Sequence, residues 1–345
     1  ELLSGLGEAH SAHTTTVLLR RHGINARLID LSGWRDERVV SLEDRLGEGF
    51  RDVDLETELP IVTGYAQCRE GLMREYDRGY SEVTFARIAA LTGASEAAIH
   101  KEFHLSSADP RIVGEDAVAK IGCTNYDVAD QLSNMGMEAI HPGAARILRQ
   151  AGIPLRVANA FEPEDPGTLI DTDAPEAARV EMVTGLDVTA LEVFEQDMVG
   201  VKGYDATILE ALTRHRLRIV SKSSNANTIT HVVDASLKAV RRAERQIAEA
   251  DPSARIGTRR VALVSVIGRN IAGLEVMQKG LGALSEAGIV PLALQQGSRA
   301  VDAQFVVPAE AQLDAIRALH RALVEEADET PQAGAPAIPR LVRAA

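Results

Sequence analysis

The chain has few cysteines and no long apolar run, and these two absences exclude several classes of protein. Its 345 residues include two cysteines, Cys68 and Cys123, which lie far apart and form no C-x-x-C or metal-ligand pattern. A disulfide framework or a zinc site is therefore not predicted, and a reducing compartment fits best. No apolar run approaches the ~18 residues of a membrane span, and the first residues lack the basic head and apolar core of a signal peptide. We expect a cytoplasmic protein with no membrane partner.

Basic charge is also scarce. The 37 lysines and arginines are outnumbered by 50 aspartates and glutamates, which gives a formal charge of −13 and no basic stripe. This charge opposes binding to phosphate backbones, so we expect no nucleic-acid partner. With 45% apolar and 25% charged residues, the composition is that of a globular protein long enough for two or three domains.

An initiator methionine is missing as well. The chain opens within the stretch "LGEAHSAHTTTVLLRRHG", which predicts a helix with Glu8 near its start and Gly23 near its end. This opening indicates a fragment of a longer product. By itself, Glu8 would be a solvated first-turn acid.

Up to Ile170, short apolar runs alternate with helical stretches. This alternation predicts an α/β layered domain with a mostly parallel sheet, in which ligands gather at the carboxyl ends of the strands. The predicted strands are "NARLIDLSG", "LPIVTGYAQ" and "EAAIHKEF", and the predicted helices are "SEVTFARIAALTGA", ended by Gly93, and "YDVADQLSNMGM".

The second half of the chain repeats itself at an offset of 72 residues. "TALEVFEQD" at Thr189 matches "VALVSVIGR" at Val261, and "ILEALTRHRLRIV" at Ile208 matches "GLGALSEAGIVPL" at Gly280. Each copy predicts a small α+β module, followed by a helix with a three-residue apolar face. These faces are Leu237, Val240 and Ile247 after the first copy, and Leu313, Ile316 and Leu319 after the second.

The predicted domain boundaries follow from this division. The Pro- and acid-rich stretch from Phe161 to Ala178 indicates a connection between the two halves. We place the α/β domain at 1–172, a linker at 173–184, two modules at 185–256 and 257–328, and a disordered Pro/Ala-rich tail at 329–345.

Two stretches carry candidate chemistry. In "DRGYSEVT", Gly79 allows a tight turn, while Ser81 and Glu82 fall at a helix N-terminus, a natural anion site, where Arg78 could hold a carboxylate. Alternatively, Ser81 is only the N-cap, with Glu82 as a first-turn acid.

The second stretch is "IHKEFHLSSADPRIVG", which follows a predicted strand. Its basic and hydroxyl groups suit nucleotide phosphates, although an Asp-Pro turn with ordinary surface charges is the alternative. His100 and His104 would not share a face in a strand and loop, so no metal site is predicted. The candidate nucleotide residues are Lys101, Ser107, Asp109 and Arg111.

An ordered set of short motifs resembles the aspartate kinase family. The set comprises Gly7-Glu8, Arg78-Gly79-x-Ser81-Glu82, Asp109-Pro110-Arg111, "GMEAIHP" from Gly136 and "PGTLI" from Pro166, followed by the paired modules. The residues of the stretches "RGYSEVTFARIA" and "IHKEFHLSSADP" further resemble the branch of aspartate kinases associated with ectoine biosynthesis genes. The resemblance implies an amino-acid-kinase (carbamate-kinase-like) domain, incomplete at its N-terminus, followed by two ACT domains.

The resemblance also implies residue roles. Glu8 would meet the amino group of L-aspartate, Arg78 would clamp its carboxylate with Ser81 alongside, and Glu82 stands where most members have the catalytic-site aspartate. Lys101-Glu102 replaces a threonine-aspartate pair in the nucleotide loop, and Glu138 stands where many members have a lysine. We hypothesise that Lys101 supplies the displaced positive charge.

The reaction implied is phosphorylation of aspartate by ATP with Mg²⁺. The family's lysine-phenylalanine-glycine-glycine loop does not precede Glu8, so we expect the chain alone to be inactive and its longer parent to be active. In the first module Met198, Gly203 and Tyr204 would bind an amino-acid effector, unless Met198, Tyr204 and Ile208 are only a packing surface. We expect a homodimer or larger oligomer. The rival functions are a non-catalytic amino-acid sensor and a kinase for glutamate or acetylglutamate.

Overall fold

The computed structural model describes residues 1–34, 36, 38–76, 79–137, 139–172 and 177–326. The helices are α1 (Leu2–Arg21), α2 (Leu42–Phe50), α3 (Leu72–Tyr76), α4 (Tyr80–Thr92), α5 (Pro110–Val113), α6 (Tyr126–Asn134), α7 (Pro142–Ala151), α8 (Tyr204–Arg214), α9 (Leu237–Ala250), α10 (Val276–Glu286) and α11 (Gln312–His320). The strands are β1 (Ala26–Ile29), β2 (Leu59–Val62), β3 (Ala97–Lys101), β4 (Cys123–Thr124), β5 (Leu155–Asn159), β6 (Thr168–Ile170), β7 (Arg179–Phe194), β8 (Arg218–Ser224), β9 (Thr228–Asp234), β10 (Arg255–Arg269), β11 (Ala293–Gln296) and β12 (Asp302–Pro308). No helix within these described ranges is long and apolar enough to cross a membrane.

The chain divides into two compact units, which are interleaved in sequence. The described residues of Glu1–Leu105, Gly122–Ser133 and Glu138–Pro175 belong to the first unit. The second unit takes the described residues from Glu176 onward together with Ser106–Ile121 and Asn134–Met137. The candidate nucleotide residues Asp109 and Arg111 therefore belong to the same unit as the repeated modules.

The first unit is built on two small sheets. Strands β1 and β2 pair in parallel, and a four-stranded sheet has the order β3-β5-β6-β4 with β3 and β5 parallel. Helix α4 ends at Gly93, which has φ +62°, a conformation that glycine adopts without strain. The predicted α/β fold class is confirmed, with its strands and helices in the predicted order.

One predicted feature of this unit is corrected. Thr168–Ile170, within the stretch read as a connection, is strand β6. Ile170 is fully buried, and Leu169 donates a backbone hydrogen bond to Gly122 at 3.0 Å. Three residues with one buried face are too short for the strand pattern to be recognised beside prolines and acids.

The second unit contains one six-stranded antiparallel sheet in the order β11-β12-β10-β7-β9-β8. Strands β7 and β10 have 16 and 15 residues and pair along their whole length. Only Thr189–Phe194 of β7 pairs with β9, and only Val261–Ile267 of β10 pairs with β12. Each long strand therefore serves both α+β modules, and residues Arg179–Thr184 of the predicted linker lie in β7. The predicted module boundaries stay a prediction.

The repeat has more than one offset. Leu212 and Leu284, at the predicted offset of 72, are both fully buried. In the strands, however, Leu191 pairs with His231 in the first module, and the equivalent buried pair in the second is Val264 with Phe305. The offset from Leu191 to Val264 is 73, so the single offset of 72 is wrong for the strand. A shift of one residue exchanges the two faces of a strand, and only the structure shows which face is buried.

The predicted helix faces are also only partly right. Val240, Ile247, Ile316 and Leu319 are buried, whereas Leu237 and Leu313 are 57% and 48% exposed. Both exposed leucines lie in the first turn of their helices. The apolar periodicity therefore predicts a buried face that is one turn too long at the start of each helix.

Candidate active site

Glu8 and Ser81 meet around Gly64 in the first unit. Glu8 projects from α1, and its Oε1 accepts a hydrogen bond from the Tyr80 hydroxyl at 2.8 Å. A Cβ atom at Gly64 would lie 2.7 Å from Glu8 Oε2 and 2.9 Å from Ser81 Cβ. Burial and the contact with Glu8 raise the pKa of Tyr80 to about 12, so Tyr80 is a hydrogen-bond donor at neutral pH.

The second oxygen of Glu8 is unusual. Glu8 Oε2 is buried and has no hydrogen-bond partner among the described residues. Buried polar atoms normally have a partner, since an unpaired one costs about 1–3 kcal/mol. A cationic group of a ligand, such as an ammonium, would supply the missing donor.

Glu82 and Lys101 form an ion pair beside this position. Lys101 Nζ, at the end of β3, lies 3.2 Å from Glu82 Oε1 on α4, and both side chains are 23% exposed. Glu82 Oε2 accepts a hydrogen bond from the backbone N–H of His141. The predicted catalytic carboxylate and the predicted replacement cation are thus brought together.

Helix α4 begins two residues earlier than the capping alternative requires. Tyr80 is its first residue and Gly79 its N-cap, with no side-chain cap. The interpretation of Ser81 as the N-cap is therefore wrong, because Ser81 lies within the first turn. Glu82 lies in that turn too, where the helix dipole favours its charge.

Sequence reasoning assigned no role to His141 or Tyr80. His141 Nδ1 accepts a hydrogen bond from the backbone N–H of Gly143 at 3.1 Å, which caps α7, and its ring packs edge-on against Tyr76. A Cβ at Gly79 would lie 2.1 Å from His141 Cδ2. The proline after His141 signals a helix start, but the contact with Glu82 spans 59 residues and leaves no local signal.

Two residues implied by the resemblance, Arg78 and Glu138, lie outside the described residues. Their roles stay predictions.

The predicted nucleotide loop has one exposed residue, one partly exposed residue and one buried residue. Asp109 caps α5 and pairs through both oxygens with Arg111, whose side chain is 89% exposed and whose hydrogen bond lowers the pKa of Asp109. Ser107 is 3% exposed and accepts a hydrogen bond from the backbone N–H of Ala119 at 3.0 Å. Because Lys101 belongs to the other unit, a nucleotide site formed by all four residues stays a prediction.

Of the three predicted effector residues, Gly203 and Tyr204 lie at the start of α8, and Met198 precedes them in the chain. Gly203 is the N-cap of α8 with φ +77°, and a Cβ there would contact nothing within 4 Å. Met198 is buried in the first-module core with Ile208, and Tyr204 packs against that core while its hydroxyl donates to Asp251. This packing agrees with the alternative interpretation, and the effector role stays a prediction.

One group of side chains could hold a cation. Ligand atoms of His104, Glu162 and Asp165, which follow β3 and β5, all lie within 4.8 Å of one another. His104 Nε2 is 3.1 Å from Glu162 Oε2, and its Nδ1 is 3.7 Å from Asp165 Oδ1. Because Glu162 is 52% exposed and an imidazole between two carboxylates is also an ordinary charged cluster, we assign no ion here.

Comparison with known proteins gives consistent matches. Residues 1–159 match the model of the amino acid kinase family. The chain is 52% identical over 327 residues to aspartate kinase Ask_Ect of Stutzerimonas stutzeri, covering 94% of this chain and 69% of that protein. It is 26% identical to the chloroplastic aspartokinase 3 of Arabidopsis thaliana, covering 79% of this chain and 51% of that protein.

Two solved structures of E. coli aspartokinase III have the same fold. The complex with aspartate and ADP matches with a TM-score of 0.71 and 19% identity, and the complex with lysine and aspartate with 0.73 and 20%. Each match covers 92% of this chain and 74% of the solved chain. The chain thus spans about two thirds of one curated relative and about half of the other.

Proposed function

This chain belongs to the aspartate kinase family, whose members are transferase enzymes, and from that membership we propose that it contributes to ATP-dependent phosphorylation of the L-aspartate side chain. The observation that carries the proposal is the buried Oε2 of Glu8 beside Ser81, for which the described residues supply no hydrogen-bond partner. A carboxylate held there by Tyr80 suits the substrate ammonium group.

In the proposed reaction, an oxygen of the aspartate β-carboxylate attacks the γ-phosphorus of ATP. The new O–P bond forms as the bond from γ-phosphorus to the β–γ bridging oxygen breaks, which gives aspartyl phosphate and ADP. No proton needs to be removed from the attacking carboxylate, so the protein's work is positioning and charge neutralisation.

The described residues divide this work. Glu8 and Ser81 position the amino acid, and Lys101 offsets charge on the phosphates. Glu82 orients Lys101 while its other oxygen is held by the His141 N–H. A Mg²⁺ ion bound with the nucleotide would neutralise charge on its phosphates. Both oxygens of Glu82 are already engaged, so we assign this ion no protein ligand.

The second unit is proposed to be regulatory. Its paired α+β modules suit an amino-acid effector, and lysine is bound by the aspartokinase III neighbour. The name of the Stutzerimonas relative supports ectoine as one destination of the product. A homodimer or larger oligomer and a cytoplasmic location complete the proposal.

The test is aspartate-dependent ADP release by the complete gene product, with glutamate as the competing substrate. We expect turnover with aspartate, and a Glu8→Gln variant with a raised KM for aspartate and an unchanged KM for ATP. Lysine, threonine and ectoine are added singly to identify an effector.

Two outcomes would reject this proposal. Binding of an amino acid without any turnover would favour the amino-acid sensor. Preferred turnover of glutamate would favour a kinase for another acidic amino acid.

A further inference from the structure

The loop that carries Asp109 and Arg111 is anchored to the last helix of the second unit. Ile112 and Val113 of α5 pack against the core that contains Ile316 and Leu319 of α11. Arg317 Nε donates a hydrogen bond to the carbonyl oxygen of Ile112 at 2.9 Å. The predicted nucleotide loop is therefore bound to a regulatory helix that lies about 200 residues further along the chain.

A buried chain of hydrogen bonds extends this anchor. Ser107 Oγ lies 2.9 Å from His320 Nε2, and His320 Nδ1 lies 2.8 Å from Glu325 Oε1. Ser107 is 3% exposed and His320 is fully buried. The main chain of Ser107 is also held, because its N–H donates to Ala119 and its carbonyl oxygen accepts from Val183 of β7.

One tautomer satisfies every group in this chain. With a proton on Nδ1, His320 donates to the Glu325 carboxylate, and its Nε2 accepts from the Ser107 hydroxyl. The Ser107 oxygen accepts from the Ala119 N–H. The hydrogen bonds then run in one direction, from the Ala119 N–H through Ser107 and His320 to Glu325, and each donor in this chain has an acceptor. This arrangement fixes the orientation of the Ser107 side chain.

A nucleophilic role for this serine does not fit. Hydroxyl, imidazole and carboxylate in this order also occur in hydrolase triads. Ser107 is buried, however, and its oxygen already accepts the Ala119 N–H, so an acyl substrate has no approach to it. The geometry suits holding the loop rather than attacking a substrate.

We infer that His320 is a positioning residue for the nucleotide, which acts through Ser107 to set the backbone that carries Asp109 and Arg111. The inference rests on the proposed function, because those two residues are predicted to contact ATP. It assigns the link between the regulatory modules and the nucleotide to a specific hydrogen-bonded chain at the end of α11.

The test compares three substitutions of His320 in the complete gene product. In His320→Gln, the side-chain amide lies near the position of Nε2 and can still accept a hydrogen bond from Ser107. In His320→Asn, the amide lies near the position of Nδ1 and cannot reach Ser107. His320→Leu loses the hydrogen bonds to both Ser107 and Glu325. We expect His320→Asn and His320→Leu to raise the KM for ATP about tenfold or more, since each leaves the Ser107 hydroxyl proton without its His320 acceptor. His320→Gln should change it little, and the KM for aspartate should stay unchanged in all three.

Val240→Ala is the matched control, since Val240 is fully buried in the core of the first module, whereas the loop packs against the core of the second. It should lower the melting temperature without changing the KM for ATP. If His320→Leu does not fold, the difference in KM for ATP between His320→Gln and His320→Asn still tests the role of His320. Glu325→Ala, which removes the hydrogen bond at the partly exposed end of the chain of side chains, is a milder additional variant.

The outcomes separate this inference from the proposed function. Wild-type protein without aspartate-dependent ADP release rejects the proposed function, and calorimetric titration of the same variants with ADP then still measures nucleotide binding. An active wild type whose Gln, Asn and Leu variants share one KM for ATP, or match Val240→Ala, overturns the role of His320.

Discussion

At the scale of single residues, Lys101 and Glu82 are the pair whose charges matter most. Their side chains are mostly buried and 3.2 Å apart, so water screens them only in part. In the proposed site, removing the lysine would have two effects: it would take a cation from the phosphates, and it would leave a carboxylate that repels them.

For Lys101→Ala we therefore expect the KM for ATP to rise about tenfold or more, as measured by ADP release in the complete gene product. Glu82→Gln in the same background should restore part of the ATP affinity, although not the turnover, because the repelling charge is gone. Lys238→Ala, on an exposed position of α9, is the control. An unchanged KM for ATP in Lys101→Ala would count against the predicted role.

His231 is the second informative residue. It is fully buried in β9, 3.4 Å from Asp205, and both ring nitrogens lack a hydrogen-bond partner among the described residues. Burial lowers its pKa below the ordinary 6.5; Asp205 opposes this shift and Lys222 adds to it. The unfolded chain therefore binds a proton near pH 6.5 that the folded chain does not bind until a lower pH.

The expected result is a loss of stability as the pH falls below about 6.5, because the unfolded state then binds more protons. Thermal unfolding between pH 5 and 7.5 measures it. His231→Leu should flatten the dependence relative to wild type, because it removes the buried imidazole. Equal slopes in wild type and His231→Leu would show that other groups dominate.

At the scale of elements, the two modules use different side chains to fill the space between the sheet and the equivalent helices α8 and α10. At the helix offset of 72, Ile208 of α8 corresponds to Gly280 of α10, while His231 and Phe305 occupy equivalent strand positions. A Cβ at Gly280 would lie 2.6 Å from Phe305 Cζ, so this glycine leaves room for the ring.

Gly280→Ala should consequently destabilise the protein by about 1–3 kcal/mol through overpacking. Gly282→Ala, in the same helix with nothing within 4 Å of its new Cβ, should stabilise by about 0.5–1 kcal/mol. Urea unfolding measures both. Two variants of equal stability would mean that Phe305 moves aside freely.

Local patterns predicted elements well and contacts poorly. Helix α4 followed from Phe85, Ile88 and the glycine at 93, and Glu8 and Ser81 were brought together as the ordered motifs implied. The hydrogen bond between Ser107 and His320 joins residues 213 apart, and no periodicity carries that information. The strand offset of 73 also depends on which face is buried, which is a property of the packed sheet.

At the scale of the whole molecule, the edges of the six-stranded sheet are relevant to assembly. All four residues of β11 are exposed, and exposed edge strands are usually covered in native proteins. A side-chain contact between Ser221 of β8 and Gln295 of β11 joins the two edges without pairing their backbones.

We expect light scattering after gel filtration to give at least the mass of a dimer. Leu294→Lys, on a 41% exposed residue of β11, should shift the protein toward the monomer. Leu237→Lys, on a 57% exposed residue of α9, should not. A monomer at every concentration would contradict the predicted assembly.

The assignment of Ser106–Ile121 to the second unit has a consequence for building chimeras between relatives. A graft joined at the sequence boundary near 173 would pair a foreign α11 with the host's own loop, and the contacts of Arg317 and His320 would be mismatched. An exchange of the whole second unit should therefore carry two pieces of gene, the C-terminal half and the short internal segment that packs with it.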